Sequence, residues 1–438
     1  MLLLLFSSSL AVIAFFVLAV YGFANGDPSR FDTKPENDLQ AVSDVFKEFL
    51  PLVRGRYKLA SIFVATVVFA IAWIQCLRFF GGFFIKGTIY GGIIGVLLLA
   101  VILNRSATDP GAVYFSYGLM IIALIFVLMV FFFRSRIEFT VLLFKQGTAA
   151  LSNSKGSLFI GMGLIVMFLI VTVFYLISTA FILSMTGIGD TCPTGVEVPC
   201  EPAMKLWYLF SFLALWICFF ISGLCQTTIS GAISSYLYNQ STSGILSLIR
   251  ALHAFGSIAL ASLIIALVTA LRIIVQVLKN KALSKSDDLK VKILFCLIEC
   301  CVRCIESFVK WFTGYMYIFI AKDGSSFCQS ARATAEMMGH EALTICVSNS
   351  IAGFVLAIGK LLGVGFATAV AYWLLSVEPS AIMFGVTIIV SYMIMSITCR
   401  LIMMSVETCL VCFYCDESIV LEEAELADAL RGYQTSSF

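Results

Sequence analysis

Residues 114–133 read YFSYGLMIIALIFVLMVFFF, a stretch without a single charge. A helix packed in a water-soluble core needs only one apolar stripe. Here apolar side chains fill the whole circumference, as suits a helix crossing about 30 Å of hydrocarbon. Runs of this kind recur from Leu2 to Val411, and of 438 residues 61% are apolar and 12% charged. Strands crossing a bilayer would alternate apolar and polar positions, and these segments do not. The chain therefore reads as all-α, a polytopic transmembrane helical bundle of about ten spans.

The spans fall at 2–24, 59–80, 83–103, 114–133, 158–184, 205–235, 252–278, 293–320, 343–376 and 381–412. This divides the chain into a first transmembrane helix (1–24), a short extracellular linker (25–58), a membrane core (59–412) and a cytoplasmic tail (413–438). The first helix lacks the positive start of a signal peptide and is longer than its apolar region, so it reads as retained. The stretch IEFTVLLFKQGTAALSNSKGS (137–157) carries Glu138 and Lys145 and reads as an interfacial helix rather than a span. Gly91, Gly92 and Gly95 read as a close-packing face.

Lys and Arg near span ends set the orientation. With the N-terminus in the cytoplasm, Arg78 and Lys86 flank a tight turn on the inner side, and Arg134, Arg136, Lys145 and Lys155 follow the fourth span, also inside. The loop DTCPTGVEVPC (190–200) then lies outside, where Cys192 and Cys200 can form a disulfide. Asn104-Arg105-Ser106 also falls outside, as a glycosylation acceptor must, whereas Asn239-Gln240-Ser241 falls inside. Lys279, Lys281, Lys285, Lys290 and Lys292 resist this order, because strict alternation puts them outside. Either the 252–278 helix re-enters or the 293–320 segment lies along the inner face.

Chemical signatures are few. A net charge of +2 with no basic tract gives no footprint for nucleic acid. His253 and His340 stand far apart, and no phosphate loop, HExxH or GxSxG motif occurs. No cofactor is implied and the chain does not read as an enzyme. Cys296, Cys300, Cys301 and Cys304 form the run CLIECCVRC, open to three readings: inert packing, acylation or metal binding. Cys412 and Cys415 share that ambiguity. Ionisable residues inside spans are costly and mark candidate functional positions. Glu299, Glu306, Lys360 and Glu407 qualify, with Arg303 available to pair with both glutamates. Trp73, Trp216 and Tyr392 lie near mid-span, and aromatic faces of this kind attract organic cations.

Several stretches carry a resemblance. YIFIAKDGSSFCQSAR (Tyr317–Arg332), followed by IGKLLGVG (Ile358–Gly365), resembles the signature of the choline transporter-like family. ANGDPSR (Ala24–Arg30), LFKQGTAALS before the fifth span, GAISSYLY (Gly231–Tyr238) and the ending VETCLVCFYCDE also match, in family order. The family's long, Cys-bearing outer loop is replaced here by about 34 residues without Cys, and Glu407 stands for the usual Asp. The resemblance implies ten helices with both ends cytoplasmic and sodium-independent facilitated transport of choline, with ethanolamine as an alternative. It also implies that residues 323–332 form a helix cap and inner gate, with Asp323 to Ser326 as turn and N-cap.

The resulting reading is an alternating-access carrier in which a choline-like cation sits among Trp216, Tyr315, Tyr317 and Tyr392. Gln226 would meet its hydroxyl and Glu407 would supply charge at longer range. The rivals are a non-transporting scaffold that organises lipid, and a channel. The partners expected are a small organic cation and the lipid bilayer. The compartment expected is the plasma membrane, with endomembranes or mitochondria as alternatives; nothing in the sequence sets the oligomeric state.

Overall fold

A computed structural model describes residues 56–106, 110–132, 134–154, 156–183, 201–240, 243–285, 289–374 and 381–416. The first helix, the Cys192–Cys200 loop and the tail beyond residue 416 lie outside the described residues. Among the described residues the regular elements are all helices: α1 (Arg56–Ser106), α2 (Pro110–Phe132), α3 (Arg134–Asn153), α4 (Ser157–Leu183), α5 (Glu201–Leu237), α6 (Gly244–His253), α7 (Phe255–Lys285), α8 (Leu289–Asp323), α9 (Phe327–Leu374) and α10 (Ala381–Cys415).

Seven of them, α1, α2, α4, α5, α7, α9 and α10, contain stretches long and apolar enough to cross a membrane. Three differences separate this set from the ten spans read in the sequence. The first span is outside the described residues. The segment 293–320 lies in α8, which carries Lys292, Glu299, Arg303, Glu306 and Lys310 and so lacks the apolarity of a span. The second and third spans are one continuous helix, α1.

The physical reason for that last difference lies in Gly81 and Gly82. The turn expected there is absent, because neither Pro nor a polar cluster interrupts the run. Instead the two glycines meet α3: a Cβ on Gly82 would lie 3.0 Å from Val141, and one on Gly81 3.8 Å from Phe144. The pair serves a helix crossing, as small residues do between membrane helices.

The chain divides into two compact units. Unit 1 contains α4, α6, α7, α8 and most of α5. Its α4–α5 core is Ile182, Phe210, Leu213, Ala214, Ile217 and Ile221. Tyr175 stacks on Phe210 at 5.4 Å and shares a hydrogen bond with Ser211 at 2.9 Å.

Unit 2 contains α1, α2, α3, α10 and α9 from Met337 onward. Here α3, read as an interfacial helix rather than a span, is not among the helices long and apolar enough to cross a membrane. It packs against α1 and α10, burying Leu143, Phe144, Ala150 and Leu151 completely. Gly147 is the crossing point, where a Cβ would come within 3.1 Å of the Val406 backbone. Thr140 and Ser348 share a hydrogen bond at 3.0 Å that ties α3 to α9.

The expected glycine face also moves. A Cβ on Gly91 or Gly95 would meet nothing among the described residues, and one on Gly92 only Phe354. The close approach is made by Gly359 and Gly363 of the IGKLLGVG stretch, against Trp73 and Met395. Helix α9 bends at Glu341 (φ −115°, ψ 16°), just before the apolar run begins.

Candidate functional site

Four of the six residues expected to meet a cation fall in unit 1, along a seam of α5, α7 and α8. Trp216 of α5 donates its indole N–H to the Ala259 carbonyl of α7 at 3.1 Å. Three turns further on, Gln226 donates to the Gly314 carbonyl of α8 at 3.0 Å. Tyr317 of α8 shares a hydrogen bond with Ser262 of α7 at 3.0 Å. Tyr315 is 1% exposed, with Trp311 edge-on at 6.0 Å. Gly223 lets the Tyr317 ring in: a Cβ there would sit 2.8 Å from the phenol.

Tyr392 and Glu407 belong to α10 in unit 2. Tyr392 is 54% exposed among the described residues, and Glu407 is half-buried. Sequence reasoning missed Gly223, Ser262 and Gly314. Their only signal is that small residues face large ones across a membrane helix crossing.

Below the seam, α7 and α8 run antiparallel in a fixed register marked by polar pairs. Ser262 meets Tyr317, Thr269 and Arg272 meet Glu306, and Lys279 meets Glu299. Glu306 is 3% exposed and accepts from Lys310 at 2.6 Å, from Thr269 at 3.0 Å and from Arg272 at 3.0 Å. Glu299 binds Lys279 at 2.6 Å and Arg303 at 2.8 Å. Lys310 also lies over the Phe219 ring of α5 at 5.2 Å, a cation–π contact. The pairing read from the sequence thus holds for Glu299 and Arg303. Glu306 instead takes Arg272 and Lys310. Arg272 was overlooked because it sits alone in an otherwise apolar run.

At the upper end of α8, Asp323 to Ser326 form a turn. Gly324 adopts φ +62°, a left-handed conformation that favours glycine. The Ser326 backbone N–H and hydroxyl both donate to the Gln329 side chain, at 3.2 and 3.1 Å. The Gln329 side chain thus reaches back to the N-terminal end of α9, one half of a capping box, in line with the turn and cap expected there.

The four exposed cysteines Cys296, Cys300, Cys301 and Cys304 do not assemble a metal site. Among the described residues no cluster of His, Cys, Asp or Glu suited to a metal occurs.

A multi-helix membrane bundle with a buried seam of aromatic, amide and hydroxyl groups defines the class: a polytopic α-helical membrane protein with a polar interior. A family profile described as "Plasma-membrane choline transporter" matches residues 117–418, more than half of the chain. The chain belongs to this family. Among its relatives, a CTL-like protein of Dictyostelium discoideum is 26% identical over 89% of this chain and 80% of its own length. Choline transporter-like protein 2 of Danio rerio is 26% identical over 60% of this chain and 44% of its own. Choline transporter-like protein 5 of Macaca fascicularis is 26% identical over 58% and 42%. The chain thus spans under half the length of these two vertebrate relatives.

Proposed function

We propose that the protein is a membrane carrier for choline or a closely related organic cation such as ethanolamine, working by facilitated, sodium-independent alternating access. Family membership over residues 117–418 carries this reading. The unit 1 seam supports it, since aromatic rings and an amide in a low-dielectric interior suit a quaternary ammonium that has no N–H to donate. In this reading Trp216, Tyr315 and Tyr317 offer the aromatic faces and Gln226 meets the hydroxyl. Tyr392, outward-facing on α10, is the weakest member of the expected set. In the described conformation Gln226 and Tyr317 are already hydrogen-bonded within the protein. Binding would therefore exchange those bonds for contacts with the substrate, which couples substrate entry to separation of α5, α7 and α8.

The test is uptake of labelled choline by proteoliposomes holding the purified full chain. Saturable uptake that unlabelled choline competes away, without a sodium gradient, is the expected result. Uptake no greater than in protein-free liposomes would overturn the proposal, and flux that never saturates would replace the carrier with a channel.

A further inference from the structure

A cluster of charge lies at the foot of the seam, at mid-span depth. Thr269 stands midway along the Phe255–Ala282 span of α7 and donates to Glu306 of α8 at 3.0 Å. Glu306 also holds Arg272 at 3.0 Å and Lys310 at 2.6 Å. Charge at such a depth is costly, and in membrane proteins it marks the route of an ion or a charged solute. One carboxylate here holds two cations, and they are held differently. Arg272 reaches Glu306 from α7. Lys310 follows Glu306 by one turn of α8, and its ammonium also lies 5.2 Å from the centroid of the Phe219 ring of α5. The Lys310 side chain is 41% exposed among the described residues. Lysine carries its charge on a flexible four-carbon stem, so this ammonium can leave the carboxylate without moving the backbone.

The Lys310 ammonium thus rests on an aromatic face and a carboxylate at once. Those are the two kinds of group that attract an organic cation in a low-dielectric interior. The place is continuous with the seam. Phe219 lies on α5 between Trp216 and Gln226, and Lys310 stands one turn before Gly314, whose carbonyl accepts from Gln226. A carrier must also change conformation when empty. Exchange of one cation for another keeps the charge beside Glu306 and Arg272 constant, so neither the loaded nor the empty state leaves an unbalanced charge in the interior.

We propose that Lys310 is a tethered stand-in for the transported cation. It fills the position between Phe219 and Glu306 when the carrier is empty, and the ammonium of choline or a related solute displaces it there. The displaced side chain swings toward its exposed side, while Arg272 and Thr269 stay on Glu306. This inference rests on the carrier reading above and adds to it a carboxylate, an aromatic face and a competing cation.

The test is the Kd for labelled choline, measured on the purified full chain in detergent. Lys310→Met removes the competitor and should tighten binding about tenfold, because the position is no longer filled from within. Lys310→Arg keeps the charge but offers a planar fork that grips a carboxylate with two bonds and stacks on a ring, so it should weaken binding about tenfold. Phe219→Leu should weaken binding about fivefold, and Lys310→Met should bring a smaller gain in that background. Arg303→Gln removes a cation of the same helix whose partner is Glu299, and should change nothing. Binding unchanged or weakened by Lys310→Met, or tightened equally by Arg303→Gln, would overturn the inference and leave the carrier reading standing. An unmodified chain that binds no choline would remove both. If Lys310→Met fails to fold, Lys310→Arg and Phe219→Leu decide, and unchanged affinity in those two would equally overturn it.

Discussion

Replacing Gly359 with Ala drives a methyl group into the indole of Trp73. The added carbon would stand 2.5 Å from Nε1, 2.6 Å from Cε2 and 2.7 Å from Cζ2. Carbon contacts are comfortable at about 3.5–4 Å, so the ring must withdraw by roughly 1 Å. It has little room to do so. Trp73 is 6% exposed, with Phe84 edge-on at 5.3 Å and Phe69 stacked at 6.5 Å. Overpacking of this kind costs about 1–3 kcal/mol. Alanine recovers roughly 1 kcal/mol of helix propensity over glycine, which leaves a net loss of about 1 kcal/mol. Gly365→Ala is the internal control, because a Cβ there meets nothing. It should gain most of that propensity, about 0.5–1 kcal/mol. Thermal unfolding of the detergent-solubilised chain should therefore move in opposite directions for two Gly→Ala changes six residues apart in one helix. Trp73→Phe in the Gly359→Ala background should restore stability, since it shrinks the ring and removes an indole N–H that lacks a partner among the described residues. If Gly359→Ala is as stabilising as Gly365→Ala, the close approach of α1 and α9 is wrong.

Gly223→Ala should displace the Tyr317 ring from Ser262 and lower choline uptake, whereas Tyr317→Phe should cost about 1 kcal/mol of stability; uptake and thermal unfolding of the same preparations check both. Glu306→Gln leaves Arg272 and Lys310 facing a neutral amide in a buried site and should destabilise by roughly 3 kcal/mol, measured as a fall in Tm against Glu299→Gln, whose own side chain is more exposed, 13% against 3%. Gln226→Leu keeps the volume but deletes the donor to the Gly314 carbonyl; initial-rate uptake should show a raised KM for choline with protein yield preserved, and an unchanged KM would remove Gln226 from the substrate's path.

Most of the helices were legible from hydropathy, because a membrane crossing demands apolarity around the whole helix. The ends of α4, α5 and α10 lie within a few residues of the runs that predict them. The same apolarity hides rotation. Where every face is greasy, nothing in the run says which side meets protein and which meets lipid. Hence the Gly91–Gly95 stretch is expected to pack closely, yet among the described residues Gly91 and Gly95 stand open and Gly92 meets only Phe354, while Gly359 and Gly363 make the close contact. The polar turn at Asp323–Ser326 was legible for the opposite reason. Glycine, serine and glutamine at fixed spacing encode a turn and a side-chain cap locally, without needing the fold. Glu306 shows the boundary between the two cases. A partner four residues away, Lys310, can be read from helix geometry. Arg272 comes from a neighbouring helix, and only the antiparallel register of α7 and α8 brings it in.

That register also separates two electrostatic environments within unit 1. Along the seam, Trp216, Gln226 and Tyr317 are neutral, and each spends its polar group on a neighbouring helix. The described cations near them are committed elsewhere, Lys310 and Arg272 to Glu306. At the end of α8 the groups are charged instead, with Arg250, Lys322 and Asp323 lining one cavity. A quaternary ammonium 5 Å from an arginine meets a repulsion of roughly 3 kcal/mol at an effective dielectric of about 20. Desolvated aromatic faces can return about 2 kcal/mol. A cation would therefore meet less repulsion along the seam than beside Arg250. In the proposed reading the seam, and not the cavity, is therefore the seat for the transported cation.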